Sequence, residues 1–306
     1  MQDLHELPKL RDSLSYLYVE HAILDKKQQA VEFIKEDGRT LIPTASLAIL
    51  MLGPGTSITH AAVNVLARSG CSILWLGEDA TRFYAQGMGE TRKAARLLHQ
   101  AALVSDPDKR KRVVINMYRH RFNHTLPPDL TLPQIRGKEG VRVRQAYAAA
   151  SKKYGVEWRG RKYKRGSWGA ADPVNRALSA ANALLNGLCH AAIVSGGYSP
   201  GLGFIHTGKQ LSFVYDVADL YKADITIPVA FAAAAESEEK IESRVRAACR
   251  QKFKQEKLLK RILPDIDILL NVPNDAGTRP VEPGGDVDED PALPTRYWEQ
   301  IEGSKQ

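Results

Sequence analysis

Thr81-Arg82-Phe83-Tyr84-Ala85-Gln86-Gly87-Met88-Gly89-Glu90-Thr91-Arg92-Lys93-Ala94-Ala95-Arg96-Leu97-Leu98 is the stretch in which the chain changes character. Before Gly87 the apolar residues come in short β-rich runs. After Gly89 they are spread through long stretches of Ala, Leu, Arg and Lys, which are good helix formers. The two glycines mark the border between an N-terminal β-rich portion and a larger all-α portion, an α+β chain.

Upstream, Leu14 to Val19, Ala30 to Lys35 and Leu41 to Pro43 read as strands, with Glu36-Asp37-Gly38-Arg39 as a hairpin turn. Gly53-Pro54-Gly55-Thr56 is a turn, Ser57 a candidate cap, and Thr59 to Ser69 a helix before the strands Ser72 to Leu76 and Thr81 to Ala85. Downstream, helices are expected over Thr91 to Leu103, Asp108 to Phe122, Pro133 to Tyr154, Pro173 to Ser195, Phe213 to Ala223, Pro228 to Ala235 and Ile241 to Leu263. The stretch from Val174 to Val194 mixes leucines with Ala and Gly, which suits a central helix touched on several sides. The expected division is therefore 1–88 β-rich, 89–270 all-α, and 271–306 a flexible Pro- and Gly-rich tail. That tail holds 8 Asp and Glu against 3 Lys and Arg, too little apolar surface to offset the entropy of ordering. Its Tyr297 and Trp298 beside Arg296 are candidates to dock on a partner.

Charge narrows the partners. The 306 residues carry a net +8 and a pI near 9.3. Residues 92 to 176 alone hold 21 Lys and Arg against 6 Asp and Glu, a concentration that points to a phosphate backbone rather than a small metabolite. Cys71, Cys189 and Cys249 are odd in number and widely spaced, which argues against a disulfide framework or a zinc site and for a reducing cytoplasm. The sequence has neither a run of roughly 20 consecutive apolar residues nor a signal-peptide core near Asp3, Glu6, Lys9 and Arg11, so no membrane role is expected.

Inside the basic segment Glu139 stands alone in Arg136-Gly137-Lys138-Glu139-Gly140-Val141-Arg142. Helical spacing puts Arg136 and Arg142 on its face, which makes a surface ion-pair ladder one reading. Gly137 and Gly140 weaken a helix yet clear space beside the carboxylate, which suits a metal ligand, and both readings stand. Gly203-Phe204-Ile205-His206-Thr207-Gly208-Lys209-Gln210 approaches the phosphate-binding pattern G-x-x-x-x-G-K-[ST] but ends in Gln210, which lacks the hydroxyl that ligates nucleotide magnesium. His206 is then either a hydrogen-bonded loop histidine or an imidazole for a divalent ion. Asp216 and Asp219 are three residues apart in an apolar helix, paired with Lys209 or Lys222 or else serving a cation. Two carboxylates and one imidazole suit Mg²⁺ or Mn²⁺.

These motifs, with Leu52-Gly53-Pro54-Gly55-Thr56, His60-Ala61-Ala62, Gln134 to Gly140, Tyr154-Gly155-Val156 and Ser212 to Asp216, resemble those of the CRISPR-associated adaptation integrases, the first Cas protein family, in its type I-E branch. The resemblance implies a β-rich dimerisation domain, an all-α catalytic domain, a homodimer, and two such dimers around a small ferredoxin-like Cas dimer in a heterohexamer. It implies metal ligands at Glu139, His206 and Asp219, with Asp216 in support. It implies double-stranded DNA contacts at Arg82, Arg136, Arg142, Arg161, Tyr163, Lys209 and Tyr215, and at His21, where close relatives carry a wedging tyrosine. The implied reaction is spacer acquisition: a 3′-hydroxyl of a foreign fragment attacks a phosphodiester at the CRISPR repeat, and water in its place gives endonuclease activity. A DNA-binding scaffold without catalysis and a branched-DNA repair nuclease are the competing expectations.

Overall fold

The computed structural model describes residues 15–77, 83–87, 94–122, 126–127, 129–161 and 172–272. Its strand-rich part holds two four-stranded sheets. One contains β1 (Ser15–Val19), β5 (Leu47–Leu52), β7 (Ser72–Leu76) and β8 (Phe83–Gln86) in that spatial order; β1, β5 and β7 run parallel, and β8 is antiparallel to β7. The other contains β4 (Gly38–Pro43), β3 (Ala30–Lys35), β2 (Ile23–Lys27) and β6 (Ser57–Ile58), with β2, β3 and β4 antiparallel. Glu36 and Asp37 make the expected hairpin turn.

Strand β5 had no counterpart among the expected strands, because its six apolar residues lack the alternation of a half-buried strand. The structure gives the reason. Ile49 and Met51 face the helical core with Leu74 and Leu76 of β7, while Leu50, Leu52 and Ile73 face the core beneath the second sheet. A strand covered on both faces reads as continuous apolar sequence. This sheet is thus a wall shared by both hydrophobic cores, and Ser72 Oγ lies 2.8 Å from Ser195 Oγ to pin it to the helices.

Helix α1 (His60–Arg68) is capped by Thr59, whose hydroxyl accepts from Ala62 N at 3.2 Å. Ser57, the expected cap, lies in β6 instead. The helical part comprises α2 (Ala95–Ser105), α3 (Pro107–His120), α4 (Leu132–Tyr154), α5 (Pro173–Ser195), α6 (Ser212–Ala218), α7 (Ile227–Glu236), α8 (Ile241–Gln255) and α9 (Leu258–Leu269). Helix α5 is the axis: it packs on α6, α7, α8, α9 and β7. By length and composition it could cross a membrane, contrary to the sequence expectation, since alanines raise its hydropathy without forming an unbroken run of large apolar residues. Here 72% of its most apolar stretch is buried inside the protein, as a bundle core requires.

Two expected helices break. The one over 213 to 223 ends at Ala218 and passes at Lys222–Thr226 into a π-helical turn. The one over 241 to 263 splits at Glu256 and Lys257, the latter at φ 49°, and α9 then continues through Pro264. The tail from 273 onward, with Tyr297 and Trp298, lies outside the described residues.

Candidate active site

Asp216 on α6 is fully buried and collects four donors. It accepts from the backbone N–H groups of Phe204, Ile205 and His206 at 2.6, 3.0 and 2.9 Å, and His206 Nδ1 lies 2.7 Å from its Oδ1. The loop therefore folds back over its own following helix, held by one carboxylate. Gly203 makes this possible, since a Cβ there would sit 2.3 Å from His206 O. Because a carboxylate only accepts, the imidazole proton resides on Nδ1, and Nε2 keeps a free lone pair. The hydrogen bond to Asp216 also raises the His206 pKa above its ordinary value, against the lowering effect of burial.

Asp219 takes a different position from Asp216, although three residues separate them. It caps α6, is partly exposed, and accepts from Lys222 Nζ at 2.6 Å. Asp224, in the π-helical turn that follows, is exposed. Of the two carboxylates expected on one face, one holds the loop and the other holds a lysine.

Glu139 is buried on α4, at 7% exposure, and is gripped by two guanidiniums. Arg142 donates Nε to Oε2 at 2.8 Å and Nη2 to Oε1 at 3.1 Å; Arg121, at the end of α3, places Nη1 3.4 Å from Oε1. The Glu139 hydrogen bond raises the Arg142 pKa further. Arg136, the other expected partner, is exposed. Arg121 lies 18 residues from Glu139, beyond any helical spacing rule, so no local signal could have found it. Gly137 is also explained only in part: a Cβ there would meet open space, so packing within the described residues does not demand the glycine.

The donors fit a hard divalent ion in kind: an imidazole with its far nitrogen anchored, and two carboxylates balanced by cations. They are not closed around a common point, and among the described residues no three His, Cys, Asp or Glu side chains converge as a metal cluster. Side-chain cations hold the charge of both outer acids in this conformation.

The surface beside His206 is basic and aromatic. Tyr215 meets the His206 ring edge-on at 5.9 Å between centroids, and Lys209 Nζ lies 5.8 Å from the Tyr215 ring centre. Arg161 donates to Asn175 O and Ser179 Oγ, both at 3.0 Å, which ties it to the start of α5. His21 is exposed at the β1–β2 turn with φ 50°, its ring against Gly55, where a Cβ would lie 2.4 Å from Nδ1. Arg82 and Tyr163 lie outside the described residues.

An anchored imidazole and two acids beside a basic surface suit the handling of phosphodiesters. Known proteins narrow that class. The family described as CRISPR associated protein Cas1 matches residues 15–126 and 117–250. The CRISPR-associated endonuclease Cas1 2 of Thermus thermophilus is 54% identical over 305 residues, covering 99% of this chain and 92% of its own length. The crystal structure of a TtCas1-DNA complex superposes with a TM-score of 0.72 at 56% identity, over 87% of this chain and 100% of that one. A casposase bound to integration product shares the fold alone, at 12% identity and a TM-score of 0.61 over 94% and 99% of the two chains. The chain belongs to the Cas1 family of CRISPR-associated proteins.

Proposed function

We propose that this protein is the DNA integrase of CRISPR spacer acquisition, with endonuclease activity from the same site. The observation that carries the reading is the anchored imidazole: a fully buried carboxylate, three backbone amides and a histidine Nδ1 are spent on presenting His206 Nε2. A scaffold that merely bound DNA would have no use for that arrangement. The relative crystallised with DNA supports the substrate class.

In the proposed reaction the 3′-oxygen of a foreign fragment attacks a phosphorus at the repeat boundary. One P–O bond forms and one breaks: the repeat keeps the phosphorus at its 5′ end and is joined to the fragment, the flanking strand leaves with a 3′-hydroxyl, and the attacking proton passes to solvent or to the leaving oxygen. Water as the attacking group gives cleavage instead. Glu139, His206 and Asp219 would hold Mg²⁺ or Mn²⁺, which when bound lowers the hydroxyl pKa and neutralises charge on the transferred phosphate. Asp216 orients His206. Arg142, once Glu139 turns to the ion, is placed to meet phosphate oxygens, with Arg136, Arg161, Lys209 and Tyr215 along the strand; Arg82, Tyr163 and His21 complete the proposed contacts.

The homodimer, the heterohexamer with a small ferredoxin-like Cas dimer, and work in a reducing cytoplasm are parts of the same proposal. The three cysteines, free and buried, support the last. The test is a strand-transfer assay with labelled fragment and repeat DNA, with and without the small partner. Joined product from wild type and none from Glu139→Ala is expected. Cutting of branched DNA without any joining would replace this reading by that of a repair nuclease.

A further inference from the structure

The loop that carries His206 is held from its other side by helices that supply no donor to the proposed ion. Gln100, on α2, is completely buried. Its Nε2 donates to Ser199 O at 3.0 Å and to Leu202 O at 2.9 Å, and its Oε1 accepts from Ser199 N at 2.8 Å. On α3, Arg110 donates both Nε and Nη2 to Phe204 O, at 3.0 and 2.9 Å. Asp216 meanwhile holds the N–H groups of Phe204, Ile205 and His206. The Phe204 residue is thus gripped at both backbone polar atoms, its N–H by an acid and its carbonyl by a guanidinium.

A leucine at position 100 would serve the packing of α2 as well as an amide and would avoid burying a polar group. The amide is accounted for by the loop alone, since all three of its hydrogen bonds end on residues 199 and 202. That loop contains Gly201 and Gly203 and has no regular structure, so its backbone has much freedom to lose. Asp216 fixes the amides of Phe204, Ile205 and His206, and Phe213 N holds Pro200 O at 2.9 Å. The backbone polar groups of Ser199 and the carbonyl of Leu202 are left to Gln100, and without it these two residues could shift on either side of Pro200 and carry Gly203 and Phe204 with them, the imidazole being two residues further on.

We propose that Gln100, seconded by Arg110, is a positioning residue for His206: an external brace that sets the backbone of residues 199 to 204 and so fixes the imidazole that would hold the proposed ion. The inference rests on the integrase reading and adds to it two residues outside the ligand set. Residues one shell behind a metal ligand typically change metal affinity or activity by roughly 10- to 100-fold when removed, and Gln100 acts one step further back.

The experiment compares full-length wild type with Gln100→Leu, Gln100→Glu and Arg110→Lys. Mn²⁺ binding is read by electron paramagnetic resonance, beside strand transfer, duplex affinity and thermal melting. Gln100→Glu keeps the acceptor for Ser199 N but sets a carboxylate against two carbonyls, and Arg110→Lys keeps the charge while losing the fork. A control, Val245→Ala in the α8 core, lowers stability without touching the loop. The expected result is Mn²⁺ binding weakened about tenfold in both Gln100 variants and less in Arg110→Lys, duplex affinity within about twofold of wild type on the unchanged basic surface, and no loss of Mn²⁺ binding in the control. Wild-type Mn²⁺ binding in folded Gln100→Leu overturns the brace, as does an equal loss in Val245→Ala. Should the Gln100 variants fail to fold, Arg110→Lys decides: wild-type binding there overturns the proposal. Wild type that binds Mn²⁺ but joins no DNA instead sinks the integrase reading and leaves the brace standing as a metal-site device.

Discussion

The two halves of the candidate site hold their donors by different means. His206 is set by a buried carboxylate that is itself locked to three backbone amides, so neither partner can leave without unwinding the loop. Glu139 is set by Arg142 and Arg121; the Arg142 head is partly exposed and can swing away while the helices stay in place, whereas Arg121 is buried beneath the acid. Asp219 resembles Glu139 in this, with Lys222 as its cation. One half is preorganised by the backbone and the other is exchangeable. A divalent ion arriving at such a site would find the imidazole waiting and would have to win the carboxylates from their cations, which suits an enzyme whose basic groups must also be free to meet phosphate.

The strongest way to test that contrast is to remove one donor from each half. Glu139→Ala and His206→Ala are both expected to lower strand transfer by at least a hundredfold, while duplex affinity stays within a few-fold because the basic surface supplies it. The contrast lies in stability. Losing Glu139 leaves the partly exposed Arg142 able to turn toward water and strands one buried guanidinium, Arg121, whereas Asp216→Asn leaves three backbone amides and an imidazole facing a neutral group. Removing one partner of a buried charged network costs about 3–5 kcal/mol; Glu139→Ala strands one guanidinium where Asp216→Asn disturbs four donors and the loop they hold, so Asp216→Asn should unfold at lower denaturant than Glu139→Ala. Equal melting of the two would erase the distinction between the halves.

A smaller effect follows at the exchangeable half. Arg142→Gln removes the closest competing cation from Glu139 and should tighten Mn²⁺ binding. Partly screened charges near a protein surface interact by roughly 1 kcal/mol, which corresponds to about a fivefold gain by calorimetry. Strand transfer should nonetheless fall, since the same guanidinium is proposed to meet the phosphate. Weaker Mn²⁺ binding would show that Arg142 supports Glu139 as a ligand instead of competing with the ion.

What could be read beforehand divides along similar lines. The change from strand to helix was legible in residues 81 to 98 because it is a local change of composition, and α4 and α5 were legible because Pro133 and Pro173 mark their starts and their apolar pattern is long. Strand β5 was not legible, because burial on two faces erases alternation. The break at Lys257 was not, since a lysine at positive φ carries no punctuation of the kind Gly or Pro supplies. In the site, spacing revealed the Arg142 partner of Glu139 but wrongly supplied Arg136. Arg121 and Gln100 act across 18 and about a hundred residues of chain, which no local rule reaches. Spacing also made Asp216 and Asp219 equivalent, whereas the loop returning over α6 buries the first completely. Only the fold separates an acid that holds a loop from an acid that is offered to a cation.

The finest test of the contrast uses pH, because it reads the Asp216–His206 hydrogen bond without breaking the loop. That bond raises the His206 pKa above 6.5. The ion requires the neutral imidazole, so Mn²⁺ binding should weaken on acidification, with an onset at higher pH than an ordinary imidazole would give. A group whose pKa is higher folded than unfolded contributes stability that is fully present below its unfolded pKa and fades as pH rises through the folded value. The fold should therefore gain slightly from this pair at the acidic end where the metal site loses. In Asp216→Asn, examined under conditions where it remains folded, the onset of Mn²⁺ loss should move to lower pH and the acidic gain in stability should vanish. At the other half, Glu139→Gln should leave the titration of the imidazole where it is, as followed by the His206 ring signals in NMR. A shift of those signals in Glu139→Gln as large as in Asp216→Asn would mean that the imidazole senses both acids alike, and the loop's private carboxylate would no longer distinguish one half of the site from the other.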